Sequence, residues 1–244
     1  MPGFIFCGEG STDLYYNEIY QKQGPLKDCV DQLLDFFWDN RNYIQFKQVS
    51  RPEVSQSIKG KPEKKTYIAR GAKNKFPDHR SIAASAKCLA QKAEETAMEY
   101  DEPHKWGVIY FHDLDANTKA SVDEIYNDSM NAMNEGFDSV SFPHGVPMIP
   151  KTRSESWLLC LLDSKGCAGV NYFEDLPMSD KSPNSGKKVL AAVLDVSEDE
   201  SYSRIEEKRD TFDWTGLQAP SFLVFRDRLK TVSAKLLNLN ERGV

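Results

Sequence analysis

The 244-residue chain lacks several features that define large classes of protein. It has no run of 18 apolar residues, and its N-terminus has no basic segment followed by an apolar one, so we expect neither a membrane span nor a signal peptide. It has no internal repeat, and its 40% hydrophobic and 11% aromatic content is enough for a folded core. It also has no GxxxxGK[ST] motif, so we expect any nucleotide-driven regulation to need a partner protein.

Cysteine is scarce, and its spacing does not indicate a metal site. The five cysteines form no CxxC pair, and their odd number leaves one over in any disulfide pairing. They lie mostly in apolar segments. We therefore predict that they are buried thiols of a protein in the reducing cytoplasm. They are Cys7, Cys29, Cys88, Cys160 and Cys167.

The net charge of −6 argues against nucleic-acid binding through the whole surface, but the charge is unevenly distributed. Positions 44–80 contain ten basic and only three acidic residues, with Phe46, Tyr67 and Phe76 interleaved. A cationic stretch of this kind suits contact with a phosphate backbone, although a solvated loop would have the same composition. Its candidate phosphate contacts are Lys59, Lys61, Lys64, Lys65 and Arg70.

Three short acidic clusters each follow an apolar run. The sequence EGSTD at 9–13 follows FIFC, DLD at 113–115 follows VIYF, and ESW at 155–157 comes shortly after VPMI. Short apolar runs are typical of buried strands, and an open parallel sheet binds its ligand beyond the carboxyl ends of the strands. Five carboxylates would then converge and repel one another unless a hard divalent cation neutralises them. The pattern therefore predicts a site for one or two Mg²⁺ or Mn²⁺ ions.

Strands alternate with helices along the chain, which predicts an α/β fold with a parallel sheet of about four strands flanked by helices. We divide the chain into a core at 1–163, with a basic insertion at about 50–80, and a mostly helical extension at 164–244. The predicted strands are 3–8, 43–49, 106–111 and 146–149. The predicted helices are 13–23, 26–39, 80–100, 118–134 (ended by Gly136), 154–162, 187–195 and 221–237.

The acidic motifs resemble a known family. A strand followed by Glu-Gly-x-Thr/Ser-Glu/Asp, and a later strand followed by Asp-x-Asp, are the signature of the Toprim domain, which the overcoming-lysogenization-defect (OLD) nucleases share. RSESWLL at 153–159, GKKVL at 186–190 and APSF at 219–222 are similar to segments of a smaller OLD-like group, the DUF4276 family. The likeness covers most of the chain and implies a Toprim-like sheet with a C-terminal helical extension. One departure is Asp13, where that group usually has glutamate.

The residue types suit phosphodiester cleavage. Asp113 and Asp115 could share one ion, and Glu9 could hold a metal or act as general base or acid. Glu155 could complete a second metal site, with Asp13 as a further candidate ligand. Lys151 and Arg153 could hold the scissile phosphate, and Lys187 could reach the nucleic acid.

Each of these residues has an alternative, structural role. Asp13 and Glu155 could be first-turn charges that complement a helix dipole, and Asp115 could end its strand in an Asx turn. Lys187 could lie on a helix surface. We expect Trp157 to pack in the core and position Glu155 rather than to stack on a base.

The resemblance implies a Mg²⁺-dependent nuclease that acts on DNA or RNA, in bacterial defence against phage and beside an ATPase of the ABC or OLD type. The alternative is a non-catalytic Toprim-like module whose acidic edge binds a metal or a partner. Nucleotidyl transfer and topoisomerase activity rank lower, because the chain shows no second polymerising domain, zinc motif or nucleophilic-tyrosine domain.

Overall fold

The computed structural model describes residues 1–8, 16–17, 22–38, 44–59, 79–114, 120–163, 167 and 172–238, with the backbone alone at 16, 17, 22 and 59. The strands are β1 (Gly3–Cys7), β2 (Tyr16–Asn17), β3 (Lys22–Gln23), β4 (Gln45–Gln48), β5 (Trp106–Phe111) and β6 (Gly145–Met148). The α-helices are α1 (Pro25–Phe37), α2 (Arg51–Lys59), α3 (His79–Glu99), α4 (Val122–Asp138), α5 (Ser154–Leu162), α6 (Gly186–Leu194), α7 (Ser201–Lys208) and α8 (Pro220–Leu236). Three 3₁₀ segments, Tyr172–Asp175, Glu198–Glu200 and Arg209–Thr211, lie in the C-terminal part.

Four strands form one all-parallel sheet in the order β4-β1-β5-β6, flanked by helices. This confirms the predicted α/β class and is consistent with a Toprim-like fold followed by C-terminal helices. Strands β1, β5 and β6 are buried and mostly apolar because helices cover both faces of the sheet, whereas the edge strand β4 (QFKQ) is more polar and partly exposed. Successive side chains alternate between the two faces, so β1 places Phe4 and Phe6 in one core and Ile5 and Cys7 in the other.

The two faces carry different helices. The Ile5 face packs against residues of α2, α3 and α4. The Phe4 face packs against α1 and against α5, α6, α7 and α8, including Trp157 and Phe222, and against Trp214 of the segment between α7 and α8. The C-terminal residues therefore complete the core on one side of the sheet.

Three local predictions were wrong. The backbone at Tyr16–Asn17 pairs antiparallel with Lys22–Gln23, where we predicted a helix over 13–23. Helix α2 (Arg51–Lys59) lies where we predicted a loop. Gly136 was predicted to end a helix but lies inside α4. A Cβ at this position would lie 2.3 Å from the Ala83 carbonyl oxygen of α3. The glycine is required by close helix packing and not by a turn.

The prediction that all five cysteines are thiols was also wrong. Cys160 and Cys167 form a disulfide, with Cα atoms 5.1 Å apart, and both are buried. Cys7, Cys29 and Cys88 are free and buried, as predicted. The paired cysteines are seven positions apart in sequence, and the apolar setting of Cys160 gave no signal of the partner.

In the part of the chain that the structure describes, no helix combines the length and the apolar character that crossing a membrane requires.

A buried ion pair joins the C-terminal part to α1. The Arg209 guanidinium contacts both carboxylate oxygens of Asp28, at 2.6 and 2.9 Å, and donates a third hydrogen bond to the Gln23 carbonyl at 2.9 Å. The Asp28 side chain is 12% exposed and that of Arg209 is 25% exposed. A two-pronged contact of this kind is geometrically specific and only weakly screened by solvent.

We predict that Arg209→Met lowers the free energy of unfolding by about 2 kcal/mol, since it leaves a mostly buried carboxylate without its cation. The matched control is Arg204→Met, because the Arg204–Glu207 pair is about half exposed and exposed pairs contribute less than about 1 kcal/mol. Urea denaturation of both variants measures the difference. Equal losses would contradict an anchoring role for Arg209.

Candidate functional site

The strand order marks the carboxyl ends of β1 and β5 as the expected position of a ligand site. The chain leaves β1 for β4 on one side and then returns to β5 on the other side, so the order reverses between β1 and β5. In open parallel sheets, ligands bind at this reversal point, outside the carboxyl ends of the strands. Asp113 lies at this point, as the second residue after the end of β5.

Asp113 contacts the start of α5. Its Oδ1 accepts a hydrogen bond from the Ser154 backbone N–H at 3.0 Å. Beside it, the Leu114 N–H donates to the Thr152 carbonyl at 3.1 Å, which continues the β5–β6 pairing beyond the sheet. The Asp113 carboxylate thus accepts a hydrogen bond from one of the N–H groups that have no partner within the helix. At this end of a helix, the helix dipole favours negative charge.

Glu155 lies in the first turn of α5, next to Ser154, and is only 2% exposed. The start of α6 covers it: a Cβ at Gly186 would lie 3.3 Å from the Glu155 Cβ. Two of the five predicted carboxylates therefore occur at the same helix start. Burial of a carboxylate is costly without compensation, which a helix N-terminus supplies in part.

The other three predicted carboxylates, Glu9, Asp13 and Asp115, lie outside the described residues. Within the described ranges, no group of three or more His, Cys, Asp or Glu side chains is placed to hold a metal ion. Carboxylate oxygens are the donors that Mg²⁺ and Mn²⁺ prefer, so Asp113 and Glu155 fit the predicted ion by chemistry.

Lys151 and Arg153 flank this region, and both form ion pairs. The Lys151 Nζ lies 2.9 Å from Asp123 Oδ1 and 3.4 Å from Asp175 Oδ1. The Arg153 guanidinium lies 2.5 Å from Asp180 Oδ1. Burial opposes the charge on Lys151, but the hydrogen bonds and charges of Asp123 and Asp175 outweigh it and raise the pKa of the ammonium group.

The other six predicted phosphate contacts are five basic residues at 59–70 and Lys187. Lys61, Lys64, Lys65 and Arg70 lie outside the described residues, and at Lys59 only the helical backbone of α2 is described. Lys187 lies in the first turn of α6, half-buried, as expected for a residue on a helix.

Trp157 packs in the core, as predicted. It is fully buried, and its ring lies 5.2 Å from that of Phe222 and 5.8 Å from that of Phe225. Its Nε1–H donates to the Ser221 hydroxyl at 2.9 Å. The indole therefore fixes the turn of α5 that carries Glu155 against α8.

Ser221 links the site to the C-terminal part. Its hydroxyl accepts from the Lys151 N–H at 3.2 Å as well as from Trp157, and it donates to the Glu174 carboxylate. The Glu174 carboxylate also accepts the Ser221 N–H at 3.1 Å, at the start of α8. Glu174 is 1% exposed, and burial raises its pKa, although the Ser221 hydrogen bonds and the Lys151 charge act in the opposite direction.

The sequence reasoning missed Glu174, and it missed the carboxylate partners of Lys151 and Arg153, which are Asp123, Asp175 and Asp180. Among 37 acidic residues, no local pattern marks the few that face Lys151 and Arg153. Ser221 did have a signal, since it lies in the APSF segment at 219–222 that carries part of the family resemblance.

Comparison of the chain with known proteins found no match to a protein-family model, to a curated protein or to a solved structure. The assignment to a Toprim family therefore stays a prediction from the sequence motifs.

We predict that Ser221→Ala lowers the free energy of unfolding by about 2–3 kcal/mol, because it leaves two N–H donors and a buried carboxylate each short of a hydrogen bond. The control is Ser129→Ala: Ser129 is equally buried, but its hydroxyl has no hydrogen-bond partner among the described residues, so we expect a change within about 0.5 kcal/mol. Chemical denaturation compares the two. Similar losses would show that Ser221 does not hold these elements together.

Proposed function

We propose that the protein is a Toprim-type nuclease that depends on Mg²⁺ or Mn²⁺ and cleaves phosphodiester bonds in DNA or RNA. The observation that carries the proposal is the 3.0 Å hydrogen bond from Ser154 N–H to Asp113 Oδ1. It brings the carboxylate at the end of β5 to the helix turn that contains the buried Glu155. Two of the three acidic motifs thus meet at one edge of the sheet, next to the strand-order reversal.

Asp113 and Glu155 would hold one or two ions together with Glu9, Asp13 and Asp115. A bound ion would screen the phosphate charge, lower the pKa of a water ligand and stabilise the departing oxyanion. The chain's own groups have separate tasks. Lys151 and Arg153 would hold the phosphate, Glu9 would take or give a proton, and Trp157 keeps the Glu155 turn in place.

The biological setting follows from the resemblance. We propose a cytoplasmic protein that acts in bacterial defence against phage, with an ABC- or OLD-type ATPase as partner. The absence of a P-loop motif from the sequence supports the need for such a partner if nucleotide controls the activity.

A second candidate is a non-catalytic module that binds a metal or a partner. The ion pairs of Lys151 and Arg153 favour it, because both cations already have carboxylate partners. Cleavage of nucleic acid separates the two candidates.

We expect the purified protein to nick plasmid DNA or to degrade total RNA with Mg²⁺ or Mn²⁺, and to lose this activity in EDTA. Asp113→Asn and Glu155→Gln should each lower the cleavage rate at least about 100-fold, since loss of the charge removes a hard ligand. Asp113→Asn keeps an oxygen that can accept the Ser154 N–H, so its melting temperature should be unchanged or higher.

The control is Asp227→Asn. Asp227 lies on α8 with its side chain 74% exposed, so this variant should cleave nucleic acid at the wild-type rate. Undiminished cleavage by both site variants would contradict the assignment of Asp113 and Glu155. No cleavage by the wild type with either metal would favour the non-catalytic module.

A further inference from the structure

Two cations beside the candidate site lie beneath carboxylates of the same chain. The Lys151 side chain is 15% exposed and that of Arg153 is 14% exposed. Their partners are far more accessible: the side chains of Asp123, Asp175 and Asp180 are 71%, 62% and 59% exposed. A ligand that approaches from solvent therefore meets the carboxylates before it meets the cations.

The carboxylates come from two separate parts of the chain. Asp123 lies in the first turn of α4, whereas Asp175 ends the 3₁₀ segment Tyr172–Asp175 and Asp180 follows five residues later. Further contacts hold this C-terminal stretch in place. Glu174 bonds to Ser221, and the Lys188 ammonium donates to the Asp180 carbonyl at 3.1 Å. The acidic partners are thus presented on anchored backbone.

The cations themselves are fixed with respect to Asp113. The backbone of Thr152, which lies between them, accepts the N–H of Leu114. Since Ser154 bonds to the Asp113 carboxylate, the stretch from Lys151 to Ser154 runs directly beside it. A phosphate group held by Lys151 and Arg153 would lie next to the candidate metal ligands.

We propose that Asp123, Asp175 and Asp180 form a carboxylate mask over a phosphate-binding site made by Lys151 and Arg153. The inference rests on the proposed function, and it adds that carboxylates of the same chain limit access to the phosphate-binding site. The mask lowers the affinity for nucleic acid until a phosphate backbone competes for the two cations. Ion pairs whose acidic partner is mostly exposed contribute little, so a polyanion can displace them.

The mask also explains how the chain can hold a cationic site without binding nucleic acid indiscriminately. Lysine and arginine give sequence-independent affinity when they contact phosphates. While the three carboxylates are paired with the two cations, the positive charge is neutralised locally and adds little to that affinity.

The test is the binding of a fluorescein-labelled oligonucleotide to the full chain in EDTA, measured by anisotropy over a range of salt concentrations, with one DNA and one RNA arm. The unmasked variant is Asp123→Asn/Asp175→Asn/Asp180→Asn. The control, Asp199→Asn/Glu206→Gln/Asp210→Asn, changes the net charge equally at exposed positions that have no ion pair among the described side chains. The cation variant is Lys151→Met/Arg153→Met, with Lys151→Gln/Arg153→Gln as a second version if it folds poorly.

We expect the unmasked variant to bind about tenfold more tightly at low salt, and the control about twofold, through its net charge alone. The salt dependence of the unmasked variant should be steeper by about 1.4, since two further phosphates are neutralised on a single strand. Removing the two cations in the unmasked background should abolish the gain in affinity and the added salt dependence. The single substitutions Asp175→Asn and Asp180→Asn should each give part of the gain.

Equal binding by the unmasked variant and the control would overturn the mask. So would a gain in affinity that persists when the two cations are removed from the unmasked variant, and so would a lack of binding by every variant. A cleavage assay with Mg²⁺ and Mn²⁺ distinguishes failure of the mask from failure of the proposed nuclease function. Cleavage without an unmasking effect refutes the mask alone, and unmasking without cleavage refutes the nuclease alone.

Discussion

The hydroxyl group of Ser221 is the point on which the candidate site and the C-terminal helices depend together. It accepts hydrogen bonds from the Lys151 N–H and the Trp157 indole and donates to Glu174. Buried donors and acceptors are costly to leave unpaired, so each of these groups restricts the position of the others. A single side chain of α8 thereby sets where the chain leaves β6 and how α5 begins.

This arrangement makes the C-terminal segment part of the site's architecture. Trp157 contributes an apolar ring to the same cluster as Phe222 and Phe225, which lie on α8. Between α7 and α8, Arg209 holds α1 through its ion pair with Asp28. The helix that carries Glu155 is therefore fixed by packing on its inner surface and by hydrogen bonds at its start, and this rigidity is what a preorganised site requires.

Much of this was predictable from sequence. The bounds of β5 were predicted correctly because it is an almost uninterrupted apolar run, and those of α5 because a polar start is followed by the apolar run WLLCLL, from which the core position of Trp157 also followed. Gly136 was misread because a glycine that allows close helix contact looks like a glycine that ends a helix. The short pairing of Tyr16–Asn17 with Lys22–Gln23 has too few residues to show a period.

The partners of Lys151 and Arg153 were not predictable, because they depend on tertiary contacts between segments up to 28 residues apart in sequence. Local sequence shows which residues carry charge but not which charges meet. The same limit applies to the disulfide between Cys160 and Cys167. Lys151 and Arg153 lie beside the helix start that Asp113 and Glu155 occupy, so side chains of both signs lie close together in sequence at this edge of the sheet. Because Asp123, Asp175 and Asp180 pair with Lys151 and Arg153, the field that an approaching polyanion would meet there is weaker than that of two unpaired cations.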